Sequence, residues 1–410
     1  KIYKVFSREG MELEGYIETD LSLKGRQSDA MAMRFDRLHN KGTLKMKDIA
    51  FSADDYPKPF IIRTGDFRFY QDDIRFENFY ATYGYSDFAL KGSVKNSIAW
   101  MLGQGKTLRG NFEMTSKLIN VNEFMTNAPE SGAPPAQASA GVVIIPRDLD
   151  IDFRASIGQV TFSGLDIRDL KGDIDLKEGI LVLSKAGFNL IGCNVDMDAT
   201  YGSINPEKAH FDFHIKAEDF DIHKAWQEIA MVREMASSAE KAEGIVSLDY
   251  ALKGMLDATM YPILPSIEGG GTLSVKKVKV SGLKLFSDIS KSTEREGLAN
   301  PDMTKVDIKS TIKNKTVTVE QFKFKVSGIR FKVSGSSTFD NVLNLRIRLG
   351  LPPLGIFGIP LKVTGPMENL KIKYGRGKES EDIPDSEYSE ELPAEMLQRI
   401  KNAKDDGGED

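Results

Sequence analysis

Among 410 residues the chain has one cysteine, four histidines and two tryptophans. The lone thiol, Cys193, excludes an internal disulfide. So little histidine and cysteine leaves scant material for a metal cage or a nucleophile–base pair. No apolar run approaches the ~20 residues that cross a bilayer as a helix. The nearest, Gly141 to Ile145 and Gly350 to Leu361, are interrupted or bounded by Gly and Pro. A basic field is also missing. Net charge is −5, and Arg376 to Asp410 alone holds twelve acids against five bases, which leaves the rest at +2. That excludes a phosphate-backbone binder, and no nucleic acid partner is expected. The first residues do not read as a signal peptide. Lys1 falls within what reads as a running strand, so the chain is expected to be an excised fragment with any targeting segment upstream.

What the sequence has is alternation. Val160 to Tyr201 reads as four short strands. Leu165 and Ile167 alternate with Asp166 and Arg168, and Ile174 and Leu176 with Asp173 and Asp175. Ile180 to Leu183 is a short apolar run, and Val195, Met197 and Ala199 alternate with Asp196, Asp198 and Thr200. A period of two gives one wet face and one apolar face. Lys177-Glu178-Gly179 and Ile191 to Asn194 supply turns, and connections this short join antiparallel neighbours. Asp66 to Val94 and Val306 to Phe339 repeat the same unit, which implies a sheet that grows by addition along one axis.

Four regions follow from composition. Residues 1–126 read as an N-terminal sheet unit rich in aromatics, ending in a short helix at Ser116 to Phe124 that Asn120 or Asn122 could cap. Residues 127–147 are a linker rich in Pro and Ala. Residues 148–375 resume the sheet and contain one long helix, Ile222 to Lys241, capped by Asp219 or Asp221 and stopped by Gly244. Near its end Phe322, Phe324, Val326, Ile329, Phe331 and Val333, then Leu343, Leu345, Ile347 and Leu349, alternate with lysines, arginines and Asn344. Residues 376–410 read as an acidic, disordered tail.

Chemical motifs are weak. His210, Asp212 and His214 share one strand face, but a closed metal site needs a further cluster and none is visible, so no metal is expected. Gly103-Gln104-Gly105-Lys106-Thr107 lacks the first glycine of a phosphate loop, where Trp100 stands, and reads as a turn. Ser163 has no nucleophile-elbow frame. The expectation is a non-enzyme without cofactor.

The run from Pro146 through Leu170-Lys171-Gly172, Gly179 and Gly192, together with the closing strands around Gly365 and Pro366, resembles the C-terminal region of AsmA-family proteins of Gram-negative bacteria. Cys193 stands where the family pattern has a second glycine. The likeness covers residues 110 to 375 and consists of turn and strand patterns without catalytic residues. It implies an elongated, curled, taco-like β-groove, anchored in the inner membrane by an upstream helix, facing the periplasm and serving outer-membrane biogenesis.

One-sided alternation with few helices to cover it leaves three solutions: a sandwich, a closed barrel or a curled sheet that holds acyl chains. With the resemblance, the expectation is a mainly β, antiparallel groove with a few short amphipathic helices that binds or transfers phospholipid. Its candidate lipid-binding residues are Ile174, Leu176, Leu181, Leu183, Val195, Met197, Phe322, Phe324, Ile329, Phe331, Leu345 and Ile347. The alternative is a scaffold for outer-membrane protein assembly with its apolar faces sealed inside the fold, and with protein partners at its sheet edges.

Overall fold

The computed structural model describes residues 13–31, 39–51, 58–125 except 72, 102 and 104, 141–326 except 283–285, 288–289 and 292–295, and then 328–350, 358–375, 388–390 and 394. The chain is mainly β, with a few short helices, and its 20 described strands belong to a sheet that is antiparallel but for one pair. It divides into two compact units. Unit 1 holds residues 1–190, 194–214 and 253–263; unit 2 holds 191–193, 215–252 and 264–410.

Unit 1 is built on β1 (Leu13–Lys24), β2 (His39–Phe51), β3 (Phe60–Tyr70), β4 (Asp73–Tyr83), β5 (Ser86–Lys95), β6 (Leu108–Asn120), β7 (Leu149–Phe162), β8 (Leu165–Lys177) and β9 (Ile180–Leu190). Each strand pairs antiparallel with the next, except that β6 and β7 run parallel. A parallel pair needs a long crossover, and the sequence supplies one between Asn120 and Leu149. It opens with a 3-10 turn, Val121–Phe124, whose cap is Asn120, accepting from the Asn122 amide at 3.2 Å. Glu123 in that turn is buried, pairs with Lys58 at 2.8 Å and accepts from the Tyr85 amide and the Ser86 hydroxyl. Residues 127–140 of the expected linker lie outside the described residues; beyond them Val143 bridges Met125 and Val142 is fully buried.

The apolar face of unit 1 runs from Leu44 and Met46 on β2 through Phe67, Ile74, Phe76, Phe79, Val94 and Phe112 to Ile151 and Phe153 on β7. Its rings meet edge-on or stacked: Phe76 lies 4.8 Å from Phe67 and 5.0 Å from Phe112, and Phe112 lies 5.7 Å from Phe153. Aromatic pairs in these geometries add ~0.5–1.5 kcal/mol each beyond burial.

Three strands have residues in both units: β10 (Cys193–Asn205), β11 (Lys208–Asp221) and β12 (Ala242–Leu256). Unit 2 continues with β13 (Glu268–Val280), β14 (Asp302–Lys313), β15 (Thr316–Val326), β16 (Ile329–Thr338), β17 (Val342–Gly350), β18 (Gly358–Pro366), β19 (Lys371–Gly375) and β20 (Tyr388–Ser389), paired antiparallel in chain order. Apart from β20 and residues 390 and 394, the acidic tail lies outside the described residues.

The expected short strands are long ones carrying bulges. Leu165–Ile167 and Ile174–Leu176 belong to a single strand, β8, and the break read between them is a bulge at Asp169, with φ 53°. The same step recurs. In Met46-Lys47-Asp48-Ile49, Leu183-Ser184-Lys185-Ala186, Ala217-Glu218-Asp219-Phe220 and Met303-Thr304-Lys305-Val306, the second polar residue has φ between 49° and 56°. One extra residue in the left-handed region restores the apolar side chain to its original face. Asp219 is thus one of these left-handed residues, held by Ser247 and by the Lys276 ammonium, and that hydrogen-bonded cation lowers its carboxyl pKa.

The long helix expected over Ile222 to Lys241 is broken into α3 (Ile222–Glu228), α4 (Ala230–Met235) and a 3-10 turn, Ser237–Lys241. The two earlier short helices, α1 (Gln27–Met31) and α2 (Ser97–Met101), lie in unit 1. Asp221 caps α3 through the Lys224 amide at 2.9 Å. At the break Ile229 is extended, and the Arg233 guanidinium donates to the freed carbonyls of Trp226 and Gln227 at 3.3 and 2.6 Å. Gly244 does not stop a helix. It lies inside β12 with φ 138°, where a Cβ would stand 2.1 Å from the Lys277 carbonyl oxygen.

Candidate functional site

Unit 2 contains an apolar cavity of about 700 Å³. Its wall is one face of β12 to β17: Val246 and Tyr250, Leu273, Val275 and Val278, Met303, Ile308 and Ser310, Val317, Val319, Phe322 and Phe324, Phe331, Val333 and Ser337, and Leu343, Leu345 and Ile347. Alternation puts these side chains on one side and the cations on the other. Lys323 pairs with Lys332, which pairs with Arg348 on β17, so the outer row is basic. Ile222, Met235, Ala236 and Ala239 from the broken helix, with Phe286, line one end. Breaking at Ile229 thus yields two short apolar turns that meet the cavity.

Registers sort the wall into levels. Phe324 faces Phe331, which faces Leu349; Phe322 faces Val333, which faces Ile347. Farther along, Val319 faces Gly335 and Leu345, and Val317 faces Ser337 and Leu343. The first levels are nearly dry, with Phe331 at 1% and Leu349 at 1% exposure. The last two are half-buried. Phe324 stacks on Phe331 at 4.8 Å and lies beside Phe322 at 5.9 Å, giving an aromatic floor.

One polar pair interrupts the wall. The hydroxyls of Tyr250 on β12 and Ser310 on β14 are 2.6 Å apart, and Ser310 is buried. The tyrosine reaches over β13 because Gly271 stands between them; a Cβ there would lie 2.7 Å from the Tyr250 ring. Burial pushes the Tyr250 phenol pKa up, and its hydrogen bond to Ser310 partly offsets that.

Of the twelve expected lipid-binding residues, Phe322, Phe324, Phe331, Leu345 and Ile347 line this cavity. Ile329 belongs to the same strand face but is fully buried behind it. In unit 1, Ile174 faces Leu183 and Leu176 faces Leu181, so these four share a half-buried patch; Ile174 also faces Phe153. Val195 is buried and Met197 half-buried on β10. Sequence reasoning missed the β12–β14 wall, although the alternation in Leu273, Val275, Val278 and Val280 was legible.

No family model, curated protein or solved structure matches this chain. The site therefore rests on its own geometry.

The other polar candidates lie elsewhere in the fold. Unit 1 has a polar depression of about 840 Å³, lined by Arg75, Lys91, Glu113, Asp152, Arg154 and Lys185 among others. Asp175 at its rim has its carboxyl pKa raised, first by desolvation and then by neighbouring Asp152. Among the described residues no group of three His, Cys, Asp or Glu is placed to hold a metal. The His210 ring packs on Gly202 of β10, where a Cβ would lie 2.1 Å from it. Gly103 and Gly105, at φ 66° and 70°, lie in the turn before β6. Cys193 is buried, and burial raises its thiol pKa. No helix among the described residues is long and apolar enough to cross a membrane.

Proposed function

We propose that this chain is a non-enzymatic lipid-binding module of the AsmA-like kind, holding acyl chains on an apolar sheet face. In this reading it is tethered at the periplasmic side of the inner membrane and moves or buffers lipid for outer-membrane biogenesis. The observation that carries the lipid part is the 700 Å³ cavity, whose wall is mostly apolar. Cavities of ~300–1,000 Å³ suit small ligands. Water gains few hydrogen bonds against such a wall, whereas each methylene moved there from water contributes ~0.8 kcal/mol. Ten methylenes give ~8 kcal/mol before the costs of association.

The cellular role is supported by the resemblance of the Pro146–Tyr201 stretch and the closing strands. The test is native mass spectrometry and organic extraction of the purified chain. Co-purifying or exchangeable lipid at about one per protein is the expected result. Protein that neither carries nor takes up lipid from vesicles would refute the reading and favour an assembly scaffold.

A further inference from the structure

We infer that the unit 2 cavity takes one acyl chain at a time, methyl end first, with the polar end of the ligand left at the mouth beside Ser337 and Asn341. This rests on the lipid-binding reading and narrows it to single-chain ligands, or to one chain of a larger lipid.

Burial sets the direction. Along β16, exposure rises from 1% at Phe331 and 8% at Val333 to half-buried Ser337. Along β17 it rises from buried Ile347 to half-buried Leu345 and Leu343, and along β15 from buried Phe324 to half-buried Phe322 and Val319. The registers put all three gradients in line. At the dry end the sheet floor is joined by buried Ala239, Ala242 and Phe286, while Lys241 and Gly282 line the rim there and are exposed. A methyl terminus belongs against the floor, where Phe324, Phe331 and Phe286 offer a polar head no hydrogen-bond partner. At the other end Ser337 and Asn341 line the cavity and stay in contact with solvent. The Tyr250–Ser310 pair stands one level further in, since Ser310 faces Val319, which faces Gly335.

Size sets the stoichiometry. Phe331 and Ser337 both line the cavity and are six residues apart. At ~3.3 Å per residue that is a depth of ~20 Å. An extended backbone has three bonds per residue, so a hydrocarbon chain of similar bond spacing needs ~16–18 carbons to cover it. Volume gives a second estimate. At ~30 Å³ for each water-sized group, 700 Å³ holds roughly twenty methylenes. The depth suits a chain of that length, and the volume suits one such chain.

The experiment is a binding series with the purified chain. Saturated fatty acids of increasing length, 1-palmitoyl-lysophosphatidylethanolamine and dipalmitoyl-phosphatidylethanolamine vesicles serve as probes. Affinity should rise about tenfold for every two methylenes, then level off near ~16–18 carbons. Native mass spectrometry should find one single-chain ligand per protein. Whether palmitate or the lysolipid binds more tightly identifies the preferred head. Leu345→Trp, at a half-buried lining position, should move the plateau to shorter chains. Lys332→Ala on the opposite face should leave it in place, and a thermal melt on each variant checks that both fold. Affinity that climbs without a plateau, or a diacyl lipid bound with both chains shielded from phospholipase, overturns the single-chain inference while lipid binding stands. Failure of every probe to bind overturns both.

Discussion

Unit 1 and unit 2 use the same alternation and reach different ends. On the apolar face of unit 1, phenylalanines cluster: Phe76 alone touches the rings of Phe67, Phe79 and Phe112. On the cavity wall of unit 2, Phe322, Phe324 and Phe331 share the surface with short Val275, Val278, Val317, Val319 and Val333, and a 700 Å³ void stands in front of them. Burying apolar area stabilises both. Short side chains between the rings leave the volume that the unit 2 wall lines.

Four substitutions would sharpen or break that contrast. Phe331→Ala, at the dry end of the cavity, should have the largest effect, a loss of ~3–5 kcal/mol in urea unfolding. Phe76→Ala on the half-buried face of unit 1 should cost less, about 2 kcal/mol; equal losses would erase the distinction between the two faces. Tyr250→Phe comes next. It leaves the buried Ser310 hydroxyl without its partner and should cost ~1–3 kcal/mol. The double variant with Ser310→Ala should recover most of that, and denaturant midpoints for the three proteins would show it. Ile191→Asn should stabilise by ~1 kcal/mol, because Ile191 sits at φ 50° in the turn before β10, where a β-branched residue is strained. A lowered melting temperature would show that the isoleucine packs better than its backbone suggests.

Asp175→Asn should give the smallest change and a pH signature. The folded state holds the Asp175 carboxyl above its ordinary pKa through desolvation and Asp152. Ionisation therefore opposes folding, and stability falls as pH rises through that range. The variant should gain less than ~1 kcal/mol at neutral pH, since the site is largely solvated. The gain should vanish as pH drops below the usual aspartate range. A gain that persists in acid would point to packing instead of charge.

Much of this was legible in the residues. The alternation at Phe322–Val333 and Leu343–Leu349 is that of the strands which form the floor of the cavity. The Glu178-Gly179 and Ile191-Gly192 turns stand where Gly marks them, with all four residues at positive φ. The strand count was misread because a step of three inside a period of two looks like a strand end. Met46 to Ile49, Ile167 to Leu170 and Leu183 to Ala186 each make that step, and each is a bulge in a continuing strand. The helix over Ile222 to Lys241 was misread for a different reason. Its stripe is helical, but the break at Ile229 depends on Arg233 reaching back to the carbonyls of Trp226 and Gln227. Spacing alone does not report that contact.

By itself, then, the sequence determined which side of each strand is greasy, which is basic or acidic, and where the turns fall. These are local properties, written in side-chain type and a two-residue period. Only the tertiary structure decided which apolar stretches enclose a void. That depends on registers across six strands and on distant segments, α3, α4 and Phe286, coming to one end of the same wall. A cavity is a property of what neighbouring chains fail to fill, and no single strand carries that information.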